Sequence, residues 1–107
     1  MRLTPSHFHI LLSVVHEPSH GYAIMQEVQE RTDGRVKLGP GSLYWAIKRL
    51  VDADLLEETA APSAGSAGPS RRYYALTVAG REVLRREVEI LADIVRFAES
   101  QELIRRV

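Results

Sequence analysis

The sequence predicts a mainly α-helical protein with a small β-hairpin, an α+β fold. Apolar residues recur at helical spacing over most of the chain, which favours helices. Two short β-favouring segments, 55–60 and 71–76, flank a stretch rich in Ala, Ser, Gly and Pro, which is typical of a hairpin with a long tip. The chain has 107 residues, which suits one compact domain.

The first third of the chain predicts two helices. Thr4 is a good N-cap and Pro5 suits the first helical position, and apolar residues then follow at helical spacing. The run Glu17-Pro18-Ser19 ends this helix, and its serine is the predicted cap of a second helix over about 20–32. Asp33-Gly34 is predicted to stop the second helix, with Tyr22, Met25 and Val28 on its inner face.

A third helix is predicted after the turn Gly39-Pro40-Gly41, with Ser42 as its N-cap. One side of this helix is apolar. The other side combines aromatic and basic residues, namely Tyr44, Trp45, Lys48 and Arg49. Hydroxyl, ammonium and guanidinium groups on one exposed face can contact both phosphates and base edges, so this face is a candidate functional surface.

The last third predicts one long helix, capped by Thr77 and extending to about residue 105. It carries two adjacent apolar rows, and two rows need two neighbours. One neighbour is the first helix of the same chain, and the other is most simply a second copy of the protein. We therefore expect residues 78–107 to form a dimerisation helix beside a unit of residues 1–77. The expected dimer contacts, which also suit a lipophilic ligand, are Val88, Leu91, Ile94, Val95 and Phe97.

Three short helices, a hairpin and a long helix, in this order, predict a winged helix-turn-helix with an added dimerisation helix. In such proteins the third helix enters the major groove of DNA, and the hairpin, called the wing, contacts the backbone or the minor groove. The predicted DNA contacts are therefore Ser42, Tyr44, Trp45, Lys48, Arg49, Arg71 and Arg72. An alternative is a protein-interaction module in which the same aromatic and basic groups form a hot spot. In the plainer interpretations, the residues of the third helix form a solvated helix face, and Arg71 and Arg72 belong to a charged edge strand that discourages aggregation.

Composition sets limits on the function. The 14 Lys and Arg residues balance the 14 Asp and Glu residues, but the segment 31–49 holds five bases and one acid. The chain has no cysteine, which excludes disulfides and thiolate metal sites and fits a cytoplasmic location. Neither a secretion signal nor an apolar run of about 20 residues is visible, so no membrane partner is expected. No catalytic motif appears, so we expect neither an enzyme nor a required cofactor.

Three runs of the sequence resemble the PadR family of bacterial transcriptional regulators. They are His-Gly-Tyr-Ala-Ile at 20–24, Gly-Ser-Leu-Tyr at 41–44 and Arg-Arg-Tyr-Tyr-Ala-Leu-Thr-Val-Ala-Gly at 71–80. The resemblance is to the short branch of the family, which has a single C-terminal helix. It implies a winged-helix homodimer that represses from a double-stranded operator and responds to a small organic molecule. Asp54 stands where the family typically has glycine, and aspartate tolerates the left-handed conformation that this implies.

A divalent metal is the second candidate effector. His9, His16, Glu17 and His20 lie around the first helix and the turn after it, and imidazole and carboxylate groups suit a zinc-like ion. His9 and His16 are seven residues apart and share a helix face. Scattered surface histidines are common, however, and the spacing matches no metal motif. The metal site and a set of unrelated surface histidines both remain open from the sequence.

Overall fold

The computed structural model describes residues 2–61 and 72–105 of the chain. These residues form four helices and three strands, in the order α1 (Pro5–Ser13), β1 (Ser19–His20), α2 (Gly21–Arg31), α3 (Pro40–Asp52), β2 (Leu56–Thr59), β3 (Tyr73–Leu76) and α4 (Val78–Ser100). The predicted fold class, mainly α with a small β-hairpin, is confirmed. Most of the predicted hairpin tip, together with Arg71, lies outside the described residues.

The sheet is antiparallel, and β3 is its central strand. Leu56 in β2 pairs with Leu76, and Thr59 pairs with Tyr73. On the other side of β3, the two residues of β1 pair with Tyr74 and Tyr73. The strand β1 was not expected, because two residues are too few to show an alternating pattern. Its pairing ties the turn between α1 and α2 to the wing.

Two of the predicted helix caps are confirmed. The Thr4 hydroxyl accepts a hydrogen bond from the backbone N–H of His7 at 3.1 Å and starts α1. The Thr77 hydroxyl accepts one from the N–H of Gly80 at 2.8 Å and starts α4. These bonds satisfy amide groups that have no partner within the first helical turn.

The predicted caps of the other two helices are wrong. His20, and not Ser19, caps α2, where its Nδ1 accepts a hydrogen bond from the N–H of Ala23 at 3.3 Å. Helix α3 starts two residues before Ser42, because its first residue is a proline, which needs no partner for a backbone N–H. The Ser42 hydroxyl instead accepts a bond from the N–H of Gly39 at 3.0 Å, which closes the first turn.

The core forms where α1, α2 and α3 pack together, with β2 and α4 completing it. Its largest fully buried side chains are Ile10, Leu11, Ile24, Leu50, Leu56 and Val28. The predicted inward position of Tyr22 is wrong, since this side chain is 57% exposed and accepts a hydrogen bond from Gln26 at 3.0 Å. Within the described part of the chain, none of α1–α4 combines the length and the apolar character that a membrane span requires.

The start of α4 is fixed to the turn that follows α3. Asp54 has a φ of 64°, the left-handed conformation that the family resemblance implied at this position. Its carbonyl oxygen accepts a hydrogen bond from the Thr77 hydroxyl at 2.6 Å. Gly80 lies so close to this turn that a Cβ atom there would overlap the carbonyl oxygen of Leu55. The turn therefore holds the end of α3 and the start of α4 in one arrangement.

The N-terminal segment is joined to α4 by a forked ion pair. Arg2 donates from Nε to Oε1 of Glu87 at 3.1 Å and from Nη2 to Oε2 at 3.0 Å. The Glu87 side chain is only 8% exposed, although it carries a charge. The hydrogen bonds from Arg2 hold the pKa of the Glu87 carboxyl below its ordinary value. This contact lies next to the packing of α1 on α4.

Candidate nucleic-acid interface

One face of α3 presents large aromatic side chains to solvent. Tyr44 is 57% exposed and Trp45 is 61% exposed, and their rings meet edge to face with centroids 6.0 Å apart. The opposite face of the helix is buried in the core. Two adjacent aromatic rings of this size on one exposed helix face favour a binding surface.

The basic residues of α3 lie on the same exposed face. Lys48 forms an ion pair with Asp52 at 3.5 Å, one helical turn further on. The side chain of Arg49 forms no hydrogen bond or ion pair with any residue that the structure describes. The four predicted contact residues of α3, Tyr44, Trp45, Lys48 and Arg49, are all exposed and lie on the same face of the helix. The hydroxyl of Ser42, by contrast, is hydrogen-bonded to the backbone of Gly39.

The wing adds a cation beside this surface. A groove of about 440 Å³ runs between the start of α2, the start of α3 and β3, and its lining includes Tyr22, Tyr44, Arg72 and Tyr74. The guanidinium of Arg72 lies 3.9 Å from the carboxylate of Glu58, and both side chains are exposed, so this pair is weak. Arg72 can therefore turn toward a ligand at low cost. The prediction for Arg71 falls outside the described residues.

The four predicted metal ligands have separate environments. In residues 2–61 and 72–105, no three His, Asp or Glu side chains come together as a group able to hold a metal ion. His9 contacts Arg31 at 3.3 Å, and burial together with the charge of Arg31 lowers the pKa of His9. His20 caps α2 and packs edge to face on Tyr73. His16 and Glu17 are exposed on the turn after α1.

Helix α4 has an apolar surface that no other described part of the chain covers. Its predicted contact residues are between 40% and 67% exposed, namely Val88, Leu91, Ile94, Val95 and Phe97. The charged side of the helix is instead internally paired, since Arg85 bonds both Glu82 and Glu89 at 2.7 Å. The apolar residues nearer the start of the helix, Leu84, Val83 and Ile90, are buried or half-buried. Both predicted rows of α4 are thus covered toward the start of the helix and mostly exposed further along it.

Sequence reasoning missed two residues that the fold brings to this region. His7, at the start of α1, lines a groove of about 600 Å³ together with Trp45 and Arg49. Tyr22 lines the groove beside the wing. Periodicity placed Tyr22 on the wrong face, and no sequence signal places the start of α1 beside the second half of α3.

The chain is similar to a known protein family and to a sequence relative. The profile of the transcriptional regulator PadR-like family matches residues 10–86. An uncharacterized 37.1 kDa protein from a Streptomyces fradiae transposon is 36% identical over 97 residues, which is 88% of this chain and 25% of that protein. The chain thus spans about a quarter of the length of this relative.

Solved structures share the architecture. A PadR family transcription regulator from Clostridium difficile matches with a TM-score of 0.74 at 24% identity, over 94% of this chain and all of that one. Bacillus subtilis PadR, solved in complex with operator DNA, matches with a TM-score of 0.65 at 18% identity, over 77% of this chain and 45% of that one. At these identities the likeness shows the fold.

Proposed function

The chain belongs to the PadR-like family of transcriptional regulators, and we propose that it is an effector-responsive repressor that binds a double-stranded operator as a homodimer. The observation that carries this proposal is the exposed face of α3, where Tyr44, Trp45 and Arg49 lie together. An α-helix fits the major groove of B-DNA, and arginine is the side chain that most often recognises guanine there. Arg72 on the wing extends the same surface toward the backbone.

The exposed apolar face of α4 supports the homodimer. A two-fold symmetric contact uses the same patch on both copies, so the face around Leu91 and Val95 would cover itself. Two symmetric recognition helices require two symmetric half-sites. The operator is therefore expected to be pseudo-palindromic, with half-site centres about 10 base pairs apart or a multiple of that distance.

Selection from random duplexes tests the DNA function directly. The expected result is enrichment of a pseudo-palindromic sequence that the purified protein then binds with a steep dependence on salt, since phosphate contacts release counterions. A protein-interaction module predicts no enrichment and a weak salt dependence, because an aromatic hot spot is largely insensitive to ions. Failure to enrich any sequence at low salt would overturn the proposal.

An effector has to change the spacing of the two recognition helices. The first candidate is a planar or lipophilic organic molecule held between two copies of α4, where Ile94 and Phe97 would supply apolar walls. The second is a divalent metal held among the four predicted ligands, of which His16 and Glu17 are exposed on the turn after α1. Each ligand would have to bind one spacing better than the other, because equal affinity shifts nothing.

Calorimetry separates the two effectors. Titration with planar aromatics is expected to lose affinity in Phe97→Ala, whereas titration with zinc is expected to lose affinity in a His16→Ala, Glu17→Ala variant. Each variant is the control for the other ligand. If neither ligand class binds the protein or changes its operator affinity, the effector part of the proposal fails and the DNA part stands.

A further inference from the structure

Helix α4 ends in a turn whose central residue is unusual for its position. The N–H of Glu102 donates to the carbonyl oxygen of Glu99 at 3.0 Å, and the N–H of Leu103 donates to that of Ala98 at 3.0 Å. These two bonds define a Schellman motif, in which the residue with a positive φ is usually glycine. Here that residue is Glu102, with a φ of 62°, a conformation that is unfavourable for a residue with a Cβ atom. Residues 101–104, the α4 turn, therefore reverse the chain instead of continuing the helix.

The same motif at the end of α3 has its apolar residue covered, whereas the motif at the end of α4 does not. After α3, Leu55 follows the left-handed Asp54, donates to the carbonyl oxygen of Leu50 and is only 4% exposed. Leu103 occupies the equivalent position after α4 and is 76% exposed, and Ile104 beside it is 48% exposed. Most of the surface of Leu103 therefore lacks cover from the described part of the chain.

A small pocket lies where the N-terminal segment meets the first half of α4. Its volume is about 170 Å³, which accommodates a group of the size of an aliphatic side chain. Its lining combines two apolar and four charged residues, namely Val83, Ile90, Arg2, Glu82, Arg86 and Glu87. Arg86 is held loosely, since it lies 3.7 Å from an oxygen of Glu82 that Arg85 already binds at 2.7 Å. With 73% of its side chain exposed, Arg86 can turn toward an acid of another chain at low cost.

The pocket lies at one end of an apolar stripe of α4, and the turn follows the other end. Val83, Ile90 and Phe97 recur every seven residues, so they share one side of the helix. Phe97, together with the neighbouring Ile94, also belongs to the proposed dimer surface. A stable interface covers about 800 Å² of each partner and uses about 20 residues of each, which is more than one helix face provides. The pocket and the turn extend this surface at its two ends.

We propose that the α4 turn of each copy closes the pocket of the other copy. Leu103 enters between the two arginines of the lining, and Glu102 lies beside Arg86. The inference rests on the proposed homodimer. Opposite ends of α4 meet only if the two helices run antiparallel, and a two-fold axis then forms the contact twice. A parallel arrangement would instead place Arg86 against Arg86 and Glu102 against Glu102, which is unfavourable.

The dimer dissociation constant of the full chain, measured by sedimentation equilibrium, tests the contact. Leu103→Ser is expected to raise it by about 100-fold, because two leucine side chains lose their cover and each burial corresponds to about a factor of ten. The matched control is Val78→Ser, since Val78 is 90% exposed on the same helix but does not line the pocket. Both side chains are exposed in the single chain, so neither change should unfold it, and circular dichroism checks this.

Charge exchange tests the orientation of the two helices. Glu102→Arg and Arg86→Glu should each raise the dissociation constant by about threefold to tenfold, because an exposed ion pair is weak but occurs twice in the dimer. The double variant should return toward the wild-type value, since each turn again meets an opposite charge. Additive losses in the double variant would overturn the contact between Glu102 and Arg86.

Disulfide trapping has no background in this chain, because it contains no cysteine. A re-equilibrated mixture of Leu103→Cys and Arg86→Cys is expected to give a covalent mixed dimer on mild oxidation, since the proposed contact brings the two positions within disulfide reach. Neither variant alone should cross-link at a comparable rate. Self-cross-linking of Arg86→Cys in place of the mixed product would indicate parallel helices and overturn the proposal.

A wild-type dimer that is unaffected by Leu103→Ser and gives no mixed disulfide overturns the contact of the turn with the pocket, and the proposed homodimer stands. A wild type that sediments as a monomer at every concentration overturns the homodimer and this contact with it.

Discussion

At the scale of single residues, Thr77 serves two elements at once. Its hydroxyl accepts a hydrogen bond from Gly80 in the first turn of α4 and donates one to the carbonyl oxygen of Asp54. Thr77→Ala is therefore expected to lower the free energy of unfolding by about 1–2 kcal/mol, the range for a lost N-cap. Thr4→Ala is the matched control with a smaller expected loss, because the structure gives Thr4 the capping bond alone. Urea unfolding measures both, and equal losses would contradict the second role of Thr77.

The α3 side chains differ in the kind of DNA contact expected of them. Tyr44→Ala should weaken binding to the selected duplex more than to a random one, by about 1–3 kcal/mol if the side chain reads a base. Lys48→Ala should weaken binding to both duplexes to the same extent, because a lysine that contacts a phosphate does not distinguish one sequence from another. The ion pair of Lys48 with Asp52 should keep this loss small. Anisotropy titrations with both duplexes distinguish these outcomes. An equal loss on both duplexes for Tyr44→Ala would remove it from base recognition.

Residue types predicted helix caps and backbone conformation well where these depend only on neighbouring residues in the sequence. The two threonine caps followed from hydrogen-bonding capacity, and the left-handed Asp54 from the family resemblance, which has glycine at this position. Ser42 was displaced from its predicted role because the preceding proline begins the helix earlier. His20 was not predicted as a cap, because its imidazole acts here in place of the usual hydroxyl or carboxylate.

At the scale of elements, the helices were predictable because their apolar periodicity is long, whereas the contacts between them were not. Nothing in the local sequence links Arg2 to Glu87, which are 85 positions apart, yet this pair joins the N-terminal segment to α4. Glu87 was therefore not singled out, although it is the buried acid of the described chain. The pairing of β1 with β3 was hidden for the same reason.

Packing of α4 on the turn after α3 leads to a prediction about glycine. Gly80→Ala is expected to destabilise the protein by about 1–3 kcal/mol or more, because its Cβ would overlap the rigid backbone oxygen of Leu55. Gly41→Ala is the matched control in α3, where the added Cβ would meet no atom within 4 Å. That change should stabilise the helix by up to about 1 kcal/mol. Thermal unfolding that shows the same sign for both variants would contradict this packing.

The ion pair between Arg2 and Glu87 is testable by charge reversal. Arg2→Glu and Glu87→Arg should each lower the melting temperature, and the double variant should recover part of the loss. The pH dependence has a defined sign. The folded pKa of Glu87 lies below 4.5, so its contribution is present above that pH and is lost as the pH falls through the lowered value. Additive losses in the double variant would show that the pair contributes nothing to stability.

At the scale of the whole molecule, the two apolar rows of α4 predicted two neighbours. The described chain covers both rows near the start of the helix, around Leu84, and leaves them mostly exposed from about Leu91 onward. The groove at His7 could not be predicted in this way, because it depends on how α1 and α3 pack against each other. The apolar pattern of a single helix can be predicted from its sequence. The shape of a groove depends on the relative positions of two helices, which the sequence of either one does not give.

The exposed apolar surface of α4 leads to the last prediction. A Leu91→Glu, Val95→Glu variant is expected to be a folded monomer, because both side chains are already at least 40% exposed and charges there can remain hydrated. In a dimer the same charges would be buried opposite their copies, which is strongly unfavourable. Val78→Glu is the control, since Val78 is 90% exposed at the start of the same helix, where a carboxylate is favourable.

Sedimentation velocity and operator titration measure the two consequences. The monomeric variant should still bind one half-site, but its affinity for the full operator should fall by about 100-fold or more, because the second contact is no longer intramolecular. Val78→Glu should keep the mass and the operator affinity of the wild type. If the double variant remains a dimer with full affinity, the α4 face around Leu91 is not the contact between copies. The spacing of the half-sites would then have to be set by a different surface of the chain.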